Sequence, residues 1–197
     1  MASAPRLPPS ASMDEIATIR IELRDTDPVI WREVEAPISV TLQVLHEIVQ
    51  AALGWQDAHL WELTIDRRHY GPPTQGEAPS IEAAKVRLRD ILKPSKTSID
   101  YLYDFGDSWE HRLTVTRVRH AEPGILYPRY VGGEWNAPPE DCGGTPGFYE
   151  ALDALADPRH PNHADVKEWF GGYDPTAIDR MAIEQALGRI GKRRNVA

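Results

Sequence analysis

The sequence predicts an α+β protein. Three observations carry this reading: apolar alternation in the first strand-like segment, a switch to helical spacing after Thr41, and a return to alternation from Trp61. In Ile16 to Arg24, Ile19, Ile21 and Leu23 share one face while Arg20, Glu22 and Arg24 take the other, the period of a half-buried strand. Asp25-Thr26-Asp27-Pro28 supplies turn residues and Val29 to Ala36 resumes β-prone sequence, so the pair reads as a hairpin ended by Pro37. Leu42, Leu45, Ile48, Val49, Ala52 and Leu53 then follow one helical face, with Thr41 fitting the N-cap and Gly54 the C-terminal stop. Trp61, Leu63 and Ile65 alternate with Glu62 and Thr64. Asp66-Arg67-Arg68 turns the chain into a short strand around His69 and Tyr70, and Gly71 to Ser80 reads as a surface loop.

Lys85 to Leu92 is expected to hold a short strand or helical turn that buries Val86, Leu88, Ile91 and Leu92. Ile99 to Phe105 and Trp109 to Val118 form an extra hairpin around Gly106-Asp107-Ser108. A hairpin, a packed helix and a return of strands is the order of a β-grasp-like (ubiquitin-like) mixed sheet, an order that other α+β arrangements share. Residues 119 to 146 read as a long irregular segment rich in Pro and Gly. A C-terminal helical segment follows: Phe148, Leu152 and Leu155 share a face, and Val166, Trp169 and Phe170 lie on a short helix stopped by Gly171-Gly172. The last helix is expected to open with Asp174 as N-cap and Pro175 at its first position. The predicted organisation is a disordered leader 1–13, one domain 14–190 and a basic tail 191–197. Within the domain, the sheet part is 14–119, the Pro/Gly-rich loop 120–146 and the helical part 147–190.

A chain of 197 residues with 41% hydrophobic and 26% charged residues is long enough for one buried core. Its one cysteine, Cys142, leaves no intramolecular disulfide and no all-cysteine zinc site within a chain, which fits a reducing, cytoplasmic setting. No segment reaches the roughly 18 apolar residues of a membrane span, and residues 1 to 12 lack the apolar run of a signal peptide. The net charge of -8 argues against nucleic acid and anionic lipid as partners and leaves an unknown protein or small-molecule ligand. Arg189, Lys192, Arg193 and Arg194 form a basic patch. It reads first as a solvated tail complementing a helix dipole, and second as a nucleic-acid contact.

Several landmarks combine in one order: Ile21-Glu22-Leu23, Pro28-Val29-Ile30-Trp31-Arg32, Leu45-His46-Glu47, Gly54 through Leu60, Val86-Arg87-Leu88, Tyr103 through His111, and Pro138-Pro139-Glu140-Asp141-Cys142-Gly143-Gly144. Together, from about Ile16 to Leu187, they resemble the plasmid pRiA4b Orf-three-like family. The resemblance implies a stand-alone bacterial or archaeal protein of a family without an established reaction, some of whose relatives are named as resolvase-like passengers of insertion elements. Ser95, Ser98 and Ser108 lack the arginine-rich setting that an activated recombinase serine needs. Relatives of this kind often carry further cysteines near the positions of Tyr130 and Asn136-Ala137, so a cysteine metal site shared with Cys142 would be incomplete here.

The richest candidate stretch places Asp104, Asp107, Trp109, Glu110 and His111 within one hairpin. Carboxylates beside an imidazole suit Mn, Fe or Zn. The competing reading is structural: Asp104 accepts backbone hydrogens at the turn, and alternation sets His111 inward with Trp109, Leu113 and Val115. Asp57 and His59 occupy a helix-to-strand corner, as a hydrogen-bonded cap or as a second imidazole for the same pocket. Glu140, Asp141 and Cys142 lie in a rigid loop, where the adjacent acids oppose an activated thiol and favour a packed one. His160 and His163 read as a helix-linking turn, and Trp55 and Trp135 as the tryptophans best placed for an exposed contact surface. The function expected is a non-enzymatic binding or adaptor module, with the acidic-aromatic hairpin and the Pro-Pro-Glu-Asp-Cys loop forming one surface. One alternative is a metal-assisted hydrolase or nuclease using Asp104, Asp107, His111 and His59. Another is a DNA-associated accessory protein of mobile elements. No organic cofactor is predicted, and a divalent metal stays open.

Overall fold

The computed structural model describes residues 15–73, 81–93 and 96–196, so the expected leader 1–13 lies outside the described residues. Strands β1 (Glu15–Leu23) and β2 (Trp31–Pro37) form the first hairpin, with Ile19 opposite Val34. Helix α1 (Leu42–Leu53) follows. Thr41 Oγ1 accepts the Val44 N–H at its start, and Gly54 closes it in the left-handed conformation at φ 78°. Then come β3 (Trp61–Ile65), β4 (Arg68–Gly71), the short β5 (Ile81–Glu82), β6 (Thr97–Tyr103), β7 (Trp109–His120) and β8 (Arg129–Glu134). Helices α2 (Gly144–Ala156), α3 (His163–Phe170) and α4 (Arg180–Val196) end the chain.

The strands make one mixed sheet in the order β5-β4-β3-β6-β7-β1-β2-β8. β4 and β5 run parallel, and the other neighbouring pairs run antiparallel. The α+β class is therefore as predicted. This order does not establish the finer β-grasp arrangement, since β1 sits inside the sheet, antiparallel to both β2 and β7. The core is built from Ile19, Ile21, Leu63, Ile99, Tyr101, Trp109 and Leu113 on the strands and Leu45, Ile48, Val49 and Ala52 on α1. Burying these side chains, each contributing on the order of 1.5–3 kcal/mol, is what holds the helix to the sheet. Among the described residues, no helix is long and apolar enough to cross a membrane.

Three boundaries differ from the sequence reading, two of them for a long-range reason. The stretch read as irregular, 120–146, contains β8, which exists because β2 offers an open edge, with Val34 opposite Tyr130. Between Lys85 and Leu92 the expected short turn is a 3-10 turn over Leu88–Asp90, which buries Leu88 fully and Val86, Ile91 and Leu92 in part. Asp174 does not cap the last helix: its Oδ1 accepts from Thr176 at 2.8 Å, and Asp179 caps α4 by accepting the Ala182 N–H at 2.9 Å. The segment read as a tail from 191 continues α4 to Val196, because the helix packs against α1 and β8. Arg193 pairs with Glu47, and Arg194 donates to Ser39 Oγ at 3.0 Å.

Candidate functional site

Three segments meet at one end of the sheet: the corner after α1, the turn between β6 and β7, and the loop before α2. Trp55 follows Gly54, and its indole N–H donates to the Pro138 carbonyl at 2.9 Å while its ring stacks on Tyr103 at 5.2 Å. Tyr103 sits opposite Trp109 at the end of the β6–β7 ladder, so its hydroxyl reaches past the sheet. That hydroxyl donates to Glu140 Oε1 at 2.6 Å and accepts the Ala58 N–H at 3.0 Å. The other Glu140 oxygen accepts the Gln56 N–H at 2.8 Å, so one carboxylate ties the corner and the strand to the loop. Burial and then the Glu140 carboxylate push the Tyr103 hydroxyl well above its ordinary pKa, which keeps it a donor.

The turn itself is organised by Asp104, which takes φ 56° and accepts the Gly106 N–H on Oδ1 at 2.9 Å, as the structural reading expected. Asp107 Oδ2 accepts the Gly143 N–H at 3.0 Å, a second tie between turn and loop. The remaining oxygen of Asp104, a side chain 14% exposed, faces His59 Nδ1 at 3.7 Å. On the other side of the ring, His59 Nε2 lies 3.0 Å from Asp141 Oδ1 but is not aligned as a hydrogen bond to it. One donor atom from each of His59, Asp104 and Asp141 falls within 4.8 Å of the others, a spacing compatible with one divalent cation. Leu60 and Phe105 flank this cluster as exposed apolar side chains, with the Asp104 N–H donating to the Leu60 carbonyl at 2.9 Å.

Other candidates are placed elsewhere. His111 is in the core with neither ring nitrogen hydrogen-bonded, packed edge-on to Trp55 at 5.2 Å and tilted against Tyr101 at 5.3 Å. Burial drives its pKa down to about 4, only partly offset by the backbone at Tyr101 and Trp109. It does not join the group formed by His59, Asp104 and Asp141. Trp109 is buried beside it, with its indole nitrogen also unpartnered. Glu110 points outward to Arg24 at 3.3 Å. Burial, then the Asp107 charge, lifts the Cys142 thiol to about 12, so it is a packed thiol rather than a thiolate. His163 Nδ1 donates to the Ala154 carbonyl at 2.9 Å, joining α3 to α2. Trp55 is buried by the loop, contrary to expectation, and Trp169 is exposed instead.

The sequence reading missed His46. Asp57 holds its Nε2 at 2.8 Å, and its Nδ1 meets Tyr101 Oη, also at 2.8 Å. A carboxylate only accepts, so Nε2 carries the hydrogen and the Tyr101 hydroxyl donates to Nδ1. Gln50 closes the ring, donating to Tyr101 Oη at 2.9 Å and accepting the Asp57 N–H at 3.1 Å. The available signal was a polar pair, His46 and Gln50, four apart on the buried side of α1.

These features define a class: an α+β protein with a mixed sheet, whose acidic hairpin turn is locked to a Pro-Pro-Glu-Asp-Cys loop. The chain belongs to the family described as "Plasmid pRiA4b ORF-3-like protein", which matches residues 15–182. It is 36% identical over 183 residues to "Uncharacterized protein y4hQ" of Sinorhizobium fredii, covering 90% of this chain and 93% of that protein. Its fold is similar to the crystal structure of "Protein of Unknown Function MM3350 from Methanosarcina mazei Go1", with a TM-score of 0.81 and 27% identity over 86% of this chain and 98% of that one.

Proposed function

We propose that the chain is a binding module whose recognition surface is the acidic seam between the β6–β7 turn and the 138–143 loop. The carrying observation is the set of bonds from Tyr103 and Gln56 to Glu140 and from Asp107 to Gly143, which fixes that surface before any partner arrives. A preformed surface spends little free energy on ordering when it binds. Its exposed face combines acid with apolar area: Asp141 is 69% exposed as a side chain, Leu60 50% and Phe105 47%. That chemistry fits a basic peptide segment carrying an apolar anchor. With the Cys142 thiol raised and His111 sealed in the core, neither serves as a surface nucleophile or base. In fluorescence polarisation, a labelled Lys/Leu-rich peptide should bind, and its Glu/Leu counterpart should not. Asp141→Asn and Phe105→Ala should each weaken binding roughly tenfold. Equal binding of the two peptides, or no effect of either substitution, would refute the reading.

A second reading rests on the spacing of His59, Asp104 and Asp141. One imidazole and two carboxylates suit a divalent cation such as Zn or Mn, which would supply Lewis-acid chemistry for a hydrolysis. This replaces Asp107 and His111 in the metal-dependent alternative with Asp141. Calorimetric titration with zinc and manganese should give one site per chain, weakened at least roughly tenfold in His59→Ala and Asp104→Asn. His69→Ala serves as control, since His69 pairs with Glu62 on another part of the sheet. If wild type takes up no metal, or His69→Ala weakens binding as much as His59→Ala, this reading fails.

A further inference from the structure

Arg32 lies on β2 and is 1% exposed, a rare position for a guanidinium without a carboxylate partner. Its Nε donates to the Ala52 carbonyl at 3.1 Å, at the C-terminal end of α1. Its Nη1 is shared among the carbonyls of Trp31 at 2.8 Å, Glu134 at 3.2 Å and Trp135 at 2.7 Å. Among the described residues no ion pair reaches it, and its charge is met by carbonyl dipoles and the negative end of α1. Nη2 takes no part in these bonds. The chain makes room for this arrangement at Gly133, where a Cβ would stand 2.8 Å from Arg32 Cδ.

Arg32 lines a cavity of about 680 Å³ together with Trp55, Asn136, Trp169, Tyr173 and Arg189. That volume is within the roughly 300–1,000 Å³ typical of small-molecule sites. Arg189 is exposed at the same cavity, with no hydrogen bond or ion pair among the described residues. Three acids stand in the wall: Glu140 is engaged by Tyr103 and Gln56, Asp179 by the Ala182 N–H, and Asp141 lies at the rim, 3.0 Å from His59 Nε2. Apart from Arg189, the wall contributed by α4 is apolar, from Ala182, Ile183 and Ala186. Capping α1 explains Arg32 Nε but leaves Nη2 and the unpaired Arg189 without a role.

We propose that this cavity is a site for a small organic anion, its anionic oxygen bonded to Arg32 Nη2 and attracted by Arg189, and its apolar body resting against Trp169 and α4. The cavity adjoins the acidic seam, sharing Glu140 and Asp141 with it, but its anion contacts use Arg32 and Arg189 on the side away from Asp104 and Phe105, so the two readings fail by different variants. The probe is 8-anilinonaphthalene-1-sulfonate, compared by fluorescence titration with its uncharged analogue N-phenyl-1-naphthylamine. The sulfonate should bind at least roughly tenfold more tightly than the neutral analogue. Arg189→Ala should weaken the sulfonate, and Arg32→Lys should weaken it further, while Phe105→Ala on the seam leaves it unchanged. Competition by benzoate assigns the site to carboxylates, and competition by inorganic phosphate assigns it to phosphates. Equal binding of the charged and neutral probes, or competition by neither anion, overturns the proposal. Should Arg32→Lys fail to fold, Arg189→Ala decides alone: unchanged sulfonate binding in that variant also overturns it.

Discussion

Acidification from about pH 7 to about pH 4 is expected to remove roughly 3 kcal/mol of folding stability through His111 alone. In the unfolded chain its imidazole has the ordinary value of 6.5, and in the fold burial holds it near 4. Below 6.5 the unfolded chain takes up a proton that the native core refuses, so acid favours unfolding. The contribution is whole above that value, declines by about 1.4 kcal/mol per pH unit, and levels off near pH 4. His111→Phe isolates it, because neither ring nitrogen has a hydrogen bond to lose and the replacement is apolar. Burial also lowers His46, against the pull of Asp57, and that dependence stays in both proteins. Urea unfolding of wild type and His111→Phe across this range should therefore diverge by roughly 3 kcal/mol. Parallel pH profiles would show that His111 is not the buried neutral group described here.

Gly144→Ala is expected to destabilise the protein by about 2–4 kcal/mol and to abolish binding at the acidic seam. Gly144 has φ +67°, and a Cβ there would lie 2.2 Å from the Asp107 carbonyl oxygen. Neither backbone can yield without separating the β6–β7 turn from the loop, which would break the Asp107 to Gly143 bond and part Asp104 from Asp141. Gly54→Ala separates strain from overlap. It has φ +78° with nothing within 4 Å of the added carbon, so it should cost only about 1 kcal/mol. Thermal unfolding of the two variants provides the comparison. Equal losses would mean that the turn and the loop are not in tight contact.

The family rests on motifs readable in the chain, and so do many of the local elements. The capped helix α1 follows from Thr41, Gly54 and an apolar face, and the β1–β2 and β6–β7 hairpins follow from alternation between turn residues. The inward direction of His111 was legible in the same way, through its phase with Trp109 and Leu113. These features depend on backbone periods of two or 3.6 residues and on turn chemistry, which act between near neighbours in the chain.

Tertiary structure alone decided the rest. β8 carries Gly132 and Gly133 and shows no clear alternation, yet it forms because β2 has an edge to pair with. Trp55 looked like a surface residue until Pro138 accepted its N–H and the loop covered it. His59 had two carboxylates near it in the motifs, Asp57 and Asp104, but the fold gives Asp57 to His46 and brings Asp141 to His59 instead. Arg32 reads locally as one more strand charge. It becomes the floor of a cavity only because α1, β8 and the following loop supply the carbonyls that make its burial tolerable. Which distant surfaces exclude water together is a property of the whole packed chain, and no local pattern encodes it.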